Sequence, residues 1–117
     1  MSEISQNEAA AQEDLWRKEM LQIYEDALVI GYEASGFRHL MSSHGPITAA
    51  KMLINMDDAS DGYVELWKLG RLDISVEARA LKPDFRSLFS DAELARCRRR
   101  LLASEWTPRP PWSPSEA

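Results

Sequence analysis

Glu8-Ala9-Ala10-Ala11-Gln12-Glu13-Asp14-Leu15-Trp16-Arg17-Lys18-Glu19-Met20-Leu21-Gln22-Ile23-Tyr24-Glu25-Asp26-Ala27-Leu28-Val29-Ile30 is the stretch on which the fold turns. Trp16, Met20, Ile23, Ala27 and Ile30 recur three or four positions apart, the period of an α-helix with one inward face. The alanine run ahead of them has high helix propensity, and no Gly or Pro interrupts the segment. The spacing predicts a long first helix from Glu8. Met1 to Asn7 is polar without a period and is expected to fray.

Working toward the C-terminus, Gly31 and Gly36 predict a break before a shorter helix carrying Phe37, Leu40 and Met41. Pro46 suits a first helical turn, and Ile47, Ala50, Leu53 and Ile54 follow at helical spacing, with an end near Asn55. Asp57 to Gly62 reads as a polar turn in which Ser60 or Asp61 caps a helix with Tyr63, Leu66 and Trp67 inward, stopped by Gly70. Ser75 caps a short helix through Leu81, which Lys82-Pro83 ends. Ser90-Asp91-Ala92-Glu93 has the form of a capping box, Phe89 and Leu94 that of a hydrophobic staple, and Leu94, Cys97 and Leu101 face inward behind them. The one strand-like alternation, Leu72/Ile74/Val76, has no partner to pair with. The expectation is an all-α fold: a compact bundle of about five or six short-to-medium helices. It forms one domain over 8–106, and the proline-rich tail, 107–117, is expected to be disordered.

The chain's 117 residues suit one domain. A net charge of -5 disfavours a phosphate-coating protein or adsorption to anionic membranes. No apolar run approaches the roughly 18 residues that span a bilayer, and the N-terminus does not read as a signal peptide. A soluble, cytoplasmic protein without a membrane partner is expected. The charge is uneven, because residues 1–33 carry eight acids against Arg17 and Lys18.

Gly62-Tyr63-Val64-Glu65-Leu66-Trp67-Lys68-Leu69-Gly70-Arg71-Leu72-Asp73-Ile74-Ser75-Val76-Glu77, followed by Leu81-Lys82-Pro83-Asp84-Phe85 and the Glu93-Leu94-Ala95-Arg96 segment, resembles a small helical module of uncharacterised bacterial proteins. The resemblance extends back through His44-Gly45 and Ala49-Ala50-Lys51-Met52-Leu53, over about residues 20–103, and Gly70-Arg71-Leu72-Asp73 is its most specific part. It implies a bacterial or phage origin and a compact helical unit. It carries no catalytic residue, and the proline-rich tail departs from it.

Chemical constellations fail on inspection. Asp57, Asp61 and Gly62 fit an EF-hand loop, but Ala59 and Lys68 occupy positions where acids are required. His39 and His44 are poorly spaced to share a metal. Cys97 has helical core spacing and no histidine base in its neighbourhood. Asp73 and Glu77 read as members of a structural network with Arg71. No catalytic residue, cofactor or metal is therefore expected. The tail's Pro108-Arg109-Pro110-Pro111 and Pro111-Trp112-Ser113-Pro114 carry P-x-x-P spacing, which is common by chance.

What remains is charge. Glu19, Glu25 and Asp26 on the first helix are candidates for binding a basic protein partner; Arg96, Arg99 and Arg100 on the last read first as solvated or paired structural cations near a helix C-terminus, and after that as candidates for binding a protein or nucleic acid. The leading expectation is a non-enzymatic helical interaction or regulatory protein that binds a protein partner. The alternative is a phage or bacterial inhibitor of a nucleic-acid machine, of the anti-CRISPR kind. A helical nucleic-acid binder ranks third. Self-association is left open.

Overall fold

The computed structural model describes residues 4–106. Among them the chain forms six α-helices and no strand: α1 Ile4–Val29, α2 Ser35–His44, α3 Pro46–Ile54, α4 Asp61–Lys68, α5 Val76–Ala80 and α6 Asp91–Ala103, with 3₁₀ turns at Leu72–Ile74 and Arg86–Leu88. The all-α bundle expected from the periodicity is the observed fold. Helix α1 begins at Ile4, ahead of the expected start at Glu8, because no helix breaker precedes the alanine run. The tail 107–117, expected to be disordered, lies outside the described residues.

Short α5 sits at the centre, with all five residues buried, packed against α6 on one side and α3 and α1 on others. Trp16 and Met20 of α1, Ile54 of α3, Ile74 and Leu81 around α5, and Cys97 and Leu101 of α6 are the large side chains closed off from water. Trp16 anchors this core. Its ring meets Phe85 and Phe89 edge-on at 5.1 and 5.3 Å between centroids, and its Nε1–H donates to the Pro46 carbonyl at 3.1 Å.

The ends of the helices follow from the residues found there. Gly31 adopts φ +90°, and α1 closes as Tyr32 N–H donates to the Ala27 carbonyl while Gly31 N–H donates to that of Leu28, the two bonds of a Schellman motif. Gly70 repeats this at the end of α4, with Arg71 N–H on Leu66 and its own N–H on Trp67. Ser60 and Ser75 accept from the N–H groups of Tyr63 and Ala78 as N-caps. One expected inward residue does not turn inward. Trp67 is 54 % exposed, because α4 is a surface helix of eight residues whose inner stripe is filled by Tyr63 and Leu66.

The Ser90/Glu93 capping box is complete, and Glu93 does more than cap. Its carboxylate also accepts from Lys51 Nζ at 2.8 Å and Asn55 Nδ2 at 2.9 Å, tying α6 to α3. Partial burial opposes the charge, but the Lys51 ammonium, the Ser90 N–H and the Asn55 amide outweigh it and hold the carboxyl at about 2, below its ordinary 4.5. A depressed carboxyl stabilises the fold above its unfolded pKa and loses that contribution as pH falls through the folded one. Glu93→Gln keeps an acceptor for the cap and removes the charge. It is expected to cost about 1 to 2 kcal/mol at neutral pH, allowing for screening by water. In urea denaturation that difference should shrink as the pH falls from about 4.5 toward 2; a difference equal at pH 7 and in acid would show that the charge plays no part.

Candidate functional site

The two charged residues of α5 point in opposite directions and recruit three of the six charged residues that the sequence offers for partners: Glu19, Asp26 and Arg100. Arg79 turns toward α1, donating from Nη1 to Glu19 at 3.1 Å, from Nη2 to Asp26 at 2.9 Å and from Nε to the Asp73 carbonyl at 2.8 Å. Lys82 Nζ adds a second cation to Glu19 at 3.0 Å. Burial opposes the Asp26 charge, yet its bonds to Arg79 and Gln22 hold its carboxyl below the ordinary range. Of the three acids expected to meet a partner, Glu19 and Asp26 are thus engaged inside the fold, and Glu25 alone stands exposed. The reason lies in their register. They flank the buried stripe of α1 on the side that faces α5.

The arginines divide in the same manner. Arg100 donates from Nη1 to Glu77 at 2.8 Å and to the Leu53 carbonyl at 3.3 Å, and from Nη2 to the Met56 carbonyl at 2.7 Å. Arg96 Nη1 reaches the same Met56 carbonyl at 3.2 Å. Both cations therefore satisfy carbonyls at and just beyond the C-terminal end of α3, where helix-end partial charge is negative. Arg99 is exposed. The expected Arg71 and acid network exists only in part: Arg71 pairs with Asp73 through Nε at 2.9 Å and Nη2 at 3.1 Å, whereas Glu77 is turned away from it into the core.

Glu77 forms part of the floor of a cavity of about 220 Å³ that opens between the end of α1, the start of α2, Leu53 of α3 and the start of α4. Ile23, Ala27, Phe37, Leu40, Leu66 and Val76 give it apolar walls. Two turns hold it open. The Schellman closure at Gly31 swings Tyr32 and Ala34 across the top, and the Ser60 cap presents Asp61, Gly62 and Tyr63 along one side. The Tyr63 hydroxyl donates to the Arg100 carbonyl at 3.0 Å and lies 2.8 Å from the Ser104 hydroxyl, so that α4 is pinned to α6 beneath the cavity. At the mouth, burial raises the Tyr32 phenol, and the carboxylates of Glu65 and Asp61 raise it further. The opening is therefore acidic.

Burial pushes the Glu77 carboxyl up, opposed by its bonds to Arg100 and to its own backbone N–H. Among the described residues no buried side-chain polar atom lacks a hydrogen-bond partner. The buried polar groups of the floor are thus already engaged, and the walls offer a newcomer apolar contact. Cys97 is fully buried, and burial pushes its thiol up to about 12, which leaves it without thiolate character. Among the described residues, no three His, Cys, Asp or Glu side chains converge to hold a metal. None of the described helices is long and apolar enough to cross a membrane.

Neither a protein-family model, nor a curated protein, nor a solved structure matches the chain.

The cavity was not foreseen from the sequence. Phe37, Leu40, Leu53 and Leu66 read there as ordinary core positions, since helical spacing tells which face is inward but not whether the space behind it is filled. Gly36, in the first turn of α2, has no positive φ to serve, and a Cβ built on it meets nothing within 4 Å.

Proposed function

We propose that this chain is a non-enzymatic interaction module, and that its cavity receives an apolar anchor side chain of a protein partner. The observation that carries the reading is the cavity's size and lining taken together. A volume of about 220 Å³ lies below the 300 to 1,000 Å³ usual for small-molecule and cofactor sites, yet exceeds the roughly 150 Å³ that accommodates a benzene ring. It suits one large aliphatic or aromatic side chain. Asp61 in the lining, with the Glu65 charge close to Tyr32, favours a segment that carries Lys or Arg beside that anchor. This reading moves the protein-binding surface from the α1 acids to the mouth of the cavity, because Glu19 and Asp26 already hold Arg79.

Gly36→Leu provides the test. The added side chain has open space at the cavity wall, and exchanging a helical glycine for leucine gains on the order of 0.8 kcal/mol in propensity. The variant should therefore melt no lower than the parent. Peptides selected from a random display library on the native chain are expected to share a Leu, Met, Phe or Trp flanked by basic residues, and to lose about tenfold or more in affinity for Gly36→Leu. Peptides without an apolar anchor, or with equal affinity for both chains, would overturn the reading. So would micromolar binding to duplex DNA or RNA in a gel shift at about 50 mM salt that disappears when Arg99 is replaced.

A further inference from the structure

The outward side of α1 carries four exposed apolar residues among its charges. Trp16, Met20, Ile23 and Ala27 are buried, and at 100° per residue the centre of the opposite side falls between Lys18 and Glu25. Flanking that line are Leu21 and Leu28 on one edge and Leu15 and Val29 on the other, 46 %, 45 %, 50 % and 85 % exposed. Asp14, Lys18 and Glu25 hold the line itself, as expected of a surface helix. Single exposed leucines need no explanation, but four along one helix face within about 21 Å of its length do.

We propose that this face of α1 binds a second copy of itself, antiparallel, across a two-fold axis passing between Leu21 and Gln22. The charges choose both the partner and the direction. Lys18 and Glu25 lie two helical turns apart at equal distances from that point, so the antiparallel pairing sets Lys18 of each copy against Glu25 of the other, forming two equivalent ion pairs. A parallel pairing would set Lys18 against Lys18 and Glu25 against Glu25. The same two-fold brings Leu21 against its own symmetry mate at the centre and Leu15 against Val29 at both ends. Asp14 lies about 30° from the centre line, on the Leu21 side, near each end of the seam. Such an interface is isologous: one patch serves both copies and closes the assembly at two. Nothing in it touches the cavity, so it stands apart from the function proposed above.

One helix against one helix buries less than the roughly 800 Å² per partner of a standard stable interface. The expected dimer is reversible, with a dissociation constant of about 10 to 100 µM. Sedimentation velocity on the full chain from about 5 to 500 µM should show the shift from monomer to dimer. Lys18→Glu and Glu25→Lys each replace two attractions with two repulsions, and each alone is expected to weaken the dimer by about tenfold or more. Mixed in equal amounts, the two variants should associate with each other, since every pair is again of opposite sign. The double variant should dimerise as the parent does, which shows that the substitutions leave the fold intact. A parent chain that stays monomeric throughout the range means that something other than a second copy covers the face, and overturns the proposal. So does a dimer indifferent to the single substitutions, or a mixture that does not associate.

Discussion

Trp16→Ala is expected to cost about 3 to 5 kcal/mol, which for a domain of this size lowers the melting temperature by roughly 15 to 25 °C. The side chain is fully buried and contributes in three ways. It fills the space at which α1, α3 and the Phe85 to Phe89 segment meet. It makes two edge-to-face aromatic contacts with Phe85 and Phe89, each worth about 0.5 to 1.5 kcal/mol beyond the area buried. Its indole N–H also satisfies the Pro46 carbonyl, which the alanine variant would leave facing a void. Trp16→Phe retains a ring and forfeits the hydrogen bond, so it should lose about 1 to 2 kcal/mol. Urea denaturation of the three chains checks the ranking. A loss below 1 kcal/mol for the alanine variant would mean that α1 is not fastened to the core through Trp16.

That α1 had to exist was legible because its inward residues keep one period over several turns and the backbone meets no breaker. The helix starts were legible for a different reason. Ser60, Ser75 and Ser90 carry their oxygens in the right place for the N–H groups three residues on, which is local chemistry that needs no knowledge of the fold. Helix ends were legible where glycine marks them, at Gly31 and Gly70. The end of α6 was not. There the left-handed residue is Glu105 at φ +62°, held by Trp106 N–H on the Leu101 carbonyl and by its own N–H on that of Leu102, and no residue type announces this.

The candidate site was harder to read, because its parts are joined only by tertiary packing. Arg71, Asp73 and Glu77 are neighbours in sequence and look like one network, yet Glu77 finds its partner 23 positions away. Helical phase explains the separation. Asp73 ends up partly exposed beside Arg71, while Glu77 lies in a helix of which every residue is buried. Glu19 and Asp26 likewise read as free surface acids, because their partner Arg79 is 60 and 53 positions distant. A charge pattern along a chain shows what is available to bind, and it does not show what the fold has already used.

Arg100→Met is the variant in which that use becomes measurable. Glu77 is 3 % exposed, and Arg100 is its counterion, at 2.8 Å. Removing one partner of a buried pair costs about 3 to 5 kcal/mol, since the charge left behind has neither water nor a counterion. The loss should depend on pH, with a definite sign. Burial already pushes the Glu77 carboxyl up, and Arg100 opposes that shift, so its removal lets the carboxyl rise further. A carboxyl whose folded pKa lies above its unfolded value, ordinarily near 4.3, stabilises the fold fully below that unfolded value and loses the contribution as the pH rises through the folded one. Arg100→Met should therefore be least damaging near pH 4 to 5 and most damaging near pH 8. Pairing it with Glu77→Gln removes the titrating group, and the double variant is expected to recover most of the lost stability and to show no such slope. If Arg100 were a surface cation kept for an acidic partner or a nucleic acid, its replacement would leave the unfolding free energy unchanged at every pH. Equal destabilisation at pH 5 and pH 8 would instead assign the cost to the Leu53 and Met56 carbonyls that Arg100 also serves, with Glu77 indifferent to its loss.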